Sequence, residues 1–330
     1  MKHNAAVLVM VMAFVLSGCD RGPEKKDVSR EAVIIGIGSQ VLSTPILMAH
    51  EKGFFAAEGL DVTLKQFTFG KLALEALFAG QVNFATAAET PIVMNSFSRT
   101  DYAVVGTFVH NYDDSKILVR TDRGIKTVAD LKGKRVGTTL GTSAHFYLDA
   151  YLNYYGMLIS QVTLLDIPQK DLPDALARGE VDAVSVFEPY GYSTLAQLPE
   201  KSARLPKTEL LRETFSLVAM KSYLLGHPET VKKILKAVER ADAFILSNRE
   251  QSIRTIAKRL DLDRKFLDTT WDDYRFDLSL DQTLLLTYED VAQWAIHNRL
   301  TEKRQMPDYW NFLYIDGMKS VRPEAVRILR

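Results

Sequence analysis

The chain has 330 residues, 47% hydrophobic and 25% charged, a globular composition long enough for two domain-sized cores. Lysine plus arginine and aspartate plus glutamate both number 41, so the net charge is zero and the basic excess of a nucleic-acid binder is absent. A single cysteine, at position 19, excludes a disulfide framework and a cysteine-based metal site.

Residues 1–19 read as an export segment. Lys2 and His3 give a short basic start, Ala5 to Leu16 is an apolar run too short to span a bilayer comfortably, and Leu16-Ser17-Gly18-Cys19 closes it. This resembles a bacterial lipobox, which implies that Cys19 becomes the acylated first residue of a lipid-anchored protein. Asp20 directly behind it is associated, in such lipoproteins, with retention at the periplasmic face of the inner membrane. Residues 20–31 are charged and nearly without apolar anchors, and read as a flexible tether.

The globular part opens at Ala32. Ala32 to Ile37 is a continuous apolar run, as expected for a strand buried on both faces of a parallel sheet. Gly38-Ser39-Gln40 leads to Ser43-Thr44-Pro45, a helix start with proline at the first helical position. A strand from Asp61 to Gln66, a helix from Leu72 to Phe78, a strand from Phe84 to Ala87 and a helix opened by Ala88-Glu89-Thr90-Pro91 continue a βαβαβα alternation. The unit then recurs. Ala76 to Asn83 lies over Ala175 to Asp182 at a constant offset that also lays Glu89 over Glu188, and the Gly38 turn corresponds to the Gly141 turn. A repeat of roughly a hundred residues is domain-sized, so the α/β chain forms two similar lobes.

Open α/β lobes bind ligands outside the carboxyl ends of their strands. Facing lobes bring Ser39, Gln40, Glu89, Thr142, Ser143, His145, Phe187 and Glu188 to one cleft. At the second turn a strand ends at Gly137 and a helix begins at Thr142 or Ser143, whose free first-turn N–H groups make a preformed anion site. Glu89 and Glu188 point instead to a cation or a set of hydrogen-bond donors, or simply sit well near helix N-termini.

Thr44-Pro45 to Leu60 with Asp61-Val62, Gly141 to His145, Ala177 to Ala183, Phe187-Glu188-Pro189-Tyr190 and Ile315 to Pro323 together resemble the motifs of the nitrate/sulfonate/taurine family of ABC-transporter substrate-binding proteins. The resemblance runs from Ala32 to Val326. It implies a two-lobed periplasmic-binding-protein type II fold, each lobe a βα sandwich, with the ligand cleft between them. Residues 32–116 and 218–330 are expected to form the first lobe and 117–217 the second, with hinge crossings at Ser115–Arg120 and Phe215–Met220. The chain after Met220 reads as helical throughout, with Trp271, Trp294 and Trp310 in packing roles.

The resemblance implies a monomeric binding protein with no cofactor that passes a small solute to a permease and ATPase. An amino sulfonate such as taurine, or an alkanesulfonate, is the expected ligand, with a thiamine-precursor-like pyrimidine or other heterocycle, or a sensor role, as the alternatives. Relatives often carry tryptophan before the Glu-Pro motif, where this chain has Phe187. One branch similar to the family contains a pyrimidine-precursor synthase dependent on a cysteine-rich motif. This chain has no such motif.

Overall fold

The computed structural model describes residues 30–329. The expected export segment with Cys19, and all but the end of the expected tether, lie outside the described residues. The tether gives way to the first strand at Glu31, one residue before the expected start.

Among the described residues there are twelve strands: β1 Glu31–Gly38, β2 Leu60–Phe67, β3 Phe84–Ala88, β4 Tyr102–Asn111, β5 Ser115–Arg120, β6 Arg135–Thr138, β7 Thr163–Asp166, β8 Ala183–Phe187, β9 Ser202–Arg204, β10 Glu213–Met220, β11 Tyr274–Asp281 and β12 Val326–Arg327. They form two sheets. The larger runs β12-β11-β4-β10-β3-β1-β2 and the smaller β7-β6-β8-β5-β9. In the larger sheet β1 lies parallel between β2 and β3, and β10 runs antiparallel beside β3. In the smaller sheet β6 lies parallel between β7 and β8, and β5 runs antiparallel beside β8. The two sheets therefore share one order of three parallel strands and an antiparallel neighbour, the structural form of the sequence repeat.

The continuous apolar strands are central, but the two-sided burial expected of Ala32 to Ile37 holds only from Ile35 onward, since Ala32 and Ile34 are exposed. β3, β5 and β8 are buried along their whole length, which only a sheet covered on both faces provides. Helices Pro228–Ser247, Arg249–Leu260 and Gln282–His297 pack on the larger sheet, placing its lobe in two sequence segments.

Two expectations are corrected here. Ser115–Arg120 and Phe215–Met220 are not crossings but interior strands, β5 and most of β10, because their apolar β-branched residues belong inside sheets. The chain passes between sheets at 112–114 and 205–212, so the boundaries expected at 116/117 and 217/218 move to those two segments. The region after Met220 is not wholly helical. Tyr274, Phe276, Leu278 and Leu280 alternate with Arg275, Asp277 and Ser279, a period of two that makes β11 a strand paired to β4.

Candidate functional site

Each parallel strand ends at the boundary between the lobes, and a helix begins there. Helix Gly70–Phe78 follows β2, Glu89–Ser96 follows β3, Ser143–Tyr154 follows β6 and Tyr190–Gln197 follows β8. A cavity of about 20 Å³ lies between these helix starts. Gln40, Phe69, Gly70, Lys71 and Phe215 line it from the larger lobe, and Thr142, Ser143 and Phe187 from the smaller. Glu213, at the start of β10, completes the wall. A hollow of about 690 Å³ beside His110, Tyr112 and Trp271 is larger, but none of these strand ends or helix starts lines it.

Two glycines make the close approach possible. Gly141 has φ +70°, a left-handed conformation that admits the sharp turn before Thr142. Gly70 sits where a Cβ would lie 2.7 Å from Phe215 Cζ and 2.9 Å from the Thr86 carbonyl oxygen, so any side chain there would force the helix start off the sheet. The Gly70 N–H donates to Gln40 Oε1 at 3.3 Å.

The lobes are pressed together. The Ser143 hydroxyl donates across the cleft to Glu89 Oε1 at 2.7 Å, and the Lys71 ammonium donates to the Leu140 carbonyl at 3.1 Å. The Phe69 and Phe187 rings meet at 6.0 Å. On the rims, Tyr192 donates to Asp263 at 2.9 Å and Asn298 to Asp149 at 2.8 Å. Trp294, part of the larger lobe's core, packs edge-on to His145 and Phe146 at 4.9 and 5.2 Å, so this tryptophan also joins the two lobes.

Of the residues expected at the cleft, Gln40, Thr142, Ser143 and Phe187 line the cavity, and Glu89 reaches it through Ser143. Thr142 is extended at the helix start, but its hydroxyl donates back to the Thr139 carbonyl at 2.7 Å and does not cap the helix. Glu89 also accepts from the Thr214 N–H at 2.9 Å and from Thr90 at 3.0 Å. Burial raises its carboxyl above the ordinary range against these donors.

Ser39, His145 and Glu188 stand apart from the cavity wall. Ser39 is half-buried, its N–H bonded to the Phe67 carbonyl. His145 turns to Trp294, accepts from the Gly141 N–H at 3.3 Å, and is pushed down to about 4 by burial, so it is neutral at physiological pH. Glu188, whose bond to Pro189 is cis, is paired with Lys116 at 3.0 Å and accepts the Tyr192 N–H at 2.9 Å. That places Glu188 in an ion pair beneath the helix it precedes.

Lys71 and Glu213 were not among the expected residues. Lys71 carried one usable signal, the glycine directly before it at a helix start beyond a strand end, as Gly141 stands before Thr142. Glu213 carried none, since it sits in a charged stretch and meets its partner Ser115 only through the sheets. Ser115 donates to it at 3.0 Å. Burial, with Asp114 and Glu89 nearby, pushes the Glu213 carboxyl well above its usual range.

Comparison with known proteins agrees with this geometry. A protein of Bacillus subtilis (strain 168) named for binding aliphatic sulfonates is 28% identical over 273 residues, 81% of each chain. The crystal structure of the periplasmic aliphatic sulphonate binding protein SsuA from Escherichia coli superposes with a TM-score of 0.74 at 25% identity, covering 87% of this chain and 92% of that one. The alkanesulfonate-binding protein SsuA from Xanthomonas axonopodis pv. citri, bound to MOPS, gives a TM-score of 0.74 at 24% identity over 90% and 98% of the chains. With a two-sheet fold that matches the SsuA structure, and residues 40–252 matching the model of the NMT1/THI5-like family, the chain belongs to that family.

Proposed function

We propose that this chain is the substrate-binding component of an ABC importer, capturing a small organic sulfonate between its lobes and delivering it to a membrane permease. The reading is carried by one convergence: the Lys71 ammonium and the starts of two helices from opposite lobes, Gly70–Phe78 and Ser143–Tyr154, meet at a single cavity. A fixed cation with backbone and hydroxyl donors is the set an oxyanion requires. Lys71, Gln40, Thr142 and Ser143 hold the sulfonate in this proposal, and Phe69 and Phe187 cover the carbon chain. Ser39, His145 and Glu188 frame the site without touching ligand.

A second reading, an amine-bearing heterocycle such as a pyrimidine, is favoured by Glu213 on the cavity wall. A thermal-shift series on the purified chain separates the two, because a ligand that binds only the native state raises the melting temperature by mass action. Taurine or an alkanesulfonate is expected to raise it, with pyrimidines and flavins inert. A shift with pyrimidine alone would transfer the function to the second reading.

We further propose that the protein is exported and lipid-anchored through Cys19. Cys19→Ser is expected to release it from membranes or leave it unprocessed. Recovery of the unaltered protein from the cytosol with its N-terminus intact would refute this anchor.

A further inference from the structure

The two crossings are flanked by buried carboxyl groups with no matching set of cations. Asp114 ends the outgoing crossing, 2% exposed, and Glu213 follows the returning one, 3% exposed. Glu213 accepts from Ser115, lines the cavity and faces Ser143, whose hydroxyl in turn donates to the fully buried Glu89. Glu213 thus has two other buried carboxyls beside it, Asp114 at the crossing and Glu89 behind Ser143.

Lys71 lines the same cavity as Glu213 but donates to the Leu140 carbonyl, and the other cations nearby are committed elsewhere. Lys116 pairs with Glu188 at 3.0 Å and Asp113 at 3.8 Å, while Arg204 and Lys207 pair with Asp113. Among the described residues, no lysine or arginine forms an ion pair with Glu89, Glu213 or Asp114. Tyr274 donates to one Asp114 oxygen at 2.9 Å, and the other oxygen has no donor. The remaining charges facing Asp114 are Lys116, Glu188 and Asp113. Tyr288 is the further titratable neighbour of Glu89.

A carboxylate withdrawn from water without a cation is costlier than the same group protonated. Because Ser143 and Glu89 belong to opposite lobes, opening them would part this hydrogen bond and let water reach Glu89 and Glu213. We infer that closure on ligand takes up protons among Glu89, Glu213 and Asp114, so that the protein grips its ligand more tightly as the pH falls.

The direction follows from the closed arrangement. Burial raises Asp114 to about 7, with Lys116 opposing and Glu188 adding to the rise, and Glu89 and Glu213 are also raised. Hydrated carboxyls titrate near ~4. The preference for closure is therefore complete below that value and is lost as the pH rises through the closed-state values. His145 acts in the opposite sense, since opening frees it to protonate, but above its ordinary 6.5 it is neutral in both states. The window from about pH 6.5 to 8.5 isolates the carboxyls.

This inference deepens the importer reading and borrows from it only the probe. Calorimetry of the full chain with pentanesulfonate, in phosphate and in Tris, counts exchanged protons because the two buffers differ in heat of ionisation. Proton uptake is expected, with affinity falling by up to about tenfold per pH unit for each proton taken up. Glu213→Gln and Asp114→Asn, tested separately, should each reduce the uptake and flatten the profile. Binding without uptake, or with release, overturns the inference. If neither pentanesulfonate nor taurine binds, the sulfonate reading fails, and the linkage is read on the ligand-free protein by energy transfer between dyes on the two lobes. The closed fraction should then rise as the pH falls in the unchanged chain and rise less steeply in Glu213→Gln. A closed fraction indifferent to pH in the unchanged chain overturns the inference on that arm.

Discussion

Lys116→Met is expected to lower the unfolding free energy by about 3–5 kcal/mol, the cost of leaving a buried ion pair with one member. Lys116 is 6% exposed, and it is the sole cation paired with Glu188 among the described residues. Burial alone would pull its ammonium down, but Glu188, Asp113 and Asp114 outweigh that and hold it above the ordinary lysine value. Removing it strands Glu188, itself 4% exposed, whereas Asp113 keeps Arg204 and Lys207. Urea denaturation of Lys116→Met, Glu188→Gln and the double variant closes the cycle. The double variant should recover most of the loss, since a neutral pair in the same space has no uncompensated charge. A double variant whose loss equals the sum of the two single losses would mean that Lys116 and Glu188 are not coupled, and the ion pair would then be no part of what holds the crossing.

The second large effect falls on binding. Lys71→Met should weaken a sulfonate by roughly 1.5–3 kcal/mol, about 10- to 100-fold, the scale of a charge-assisted hydrogen bond. Stability of the free chain should barely move, because Lys71 is half-buried and its one partner across the cleft is the Leu140 carbonyl. Lys71→Arg keeps the charge and should retain part of the affinity. Calorimetry that finds Lys71→Met binding as tightly as the unchanged chain would remove Lys71 from the site and leave the helix starts as its only anion donors.

The sequence made the parallel core legible because that core is built from local patterns. The apolar runs at Ala32 to Ile37 and Phe84 to Ala87 could be little else than interior strands, and the Gly38 and Gly141 turns mark where strands stop. Gln40, Thr142, Ser143 and Phe187 were legible for the same reason, each lying within a few residues of a strand end. Lys71 was missed although equally local, since a lysine at a helix start reads as solvent-facing until another lobe is set against it. Glu188 shows the converse. Its place after β8 suggested a cleft residue, but Lys116, on the neighbouring strand β5, claims its carboxylate. Glu213 and Ser115 are 98 residues apart, and no window along the chain joins them. The crossings lie beside the expected ones because the apolar runs at the ends of the repeat are themselves interior strands, β5 and β10, and the segments that pass between the sheets are irregular and include Asp113 and Asp114.

The position of β10 has a consequence for how the molecule is made. It lies between β3 and β4 in the larger sheet, with Glu213 in register with Asn111. Everything in the smaller sheet, β5 to β9, is synthesised after β4 and before β10. A chain that emerges from its N-terminus therefore completes one sheet while the other still has a gap at its centre, and β4 must wait through that interval without its inner neighbour. Units that are contiguous in the chain fold as they emerge. The smaller lobe is thus the first to stand on its own, and the larger is assembled around the two ends that it holds side by side.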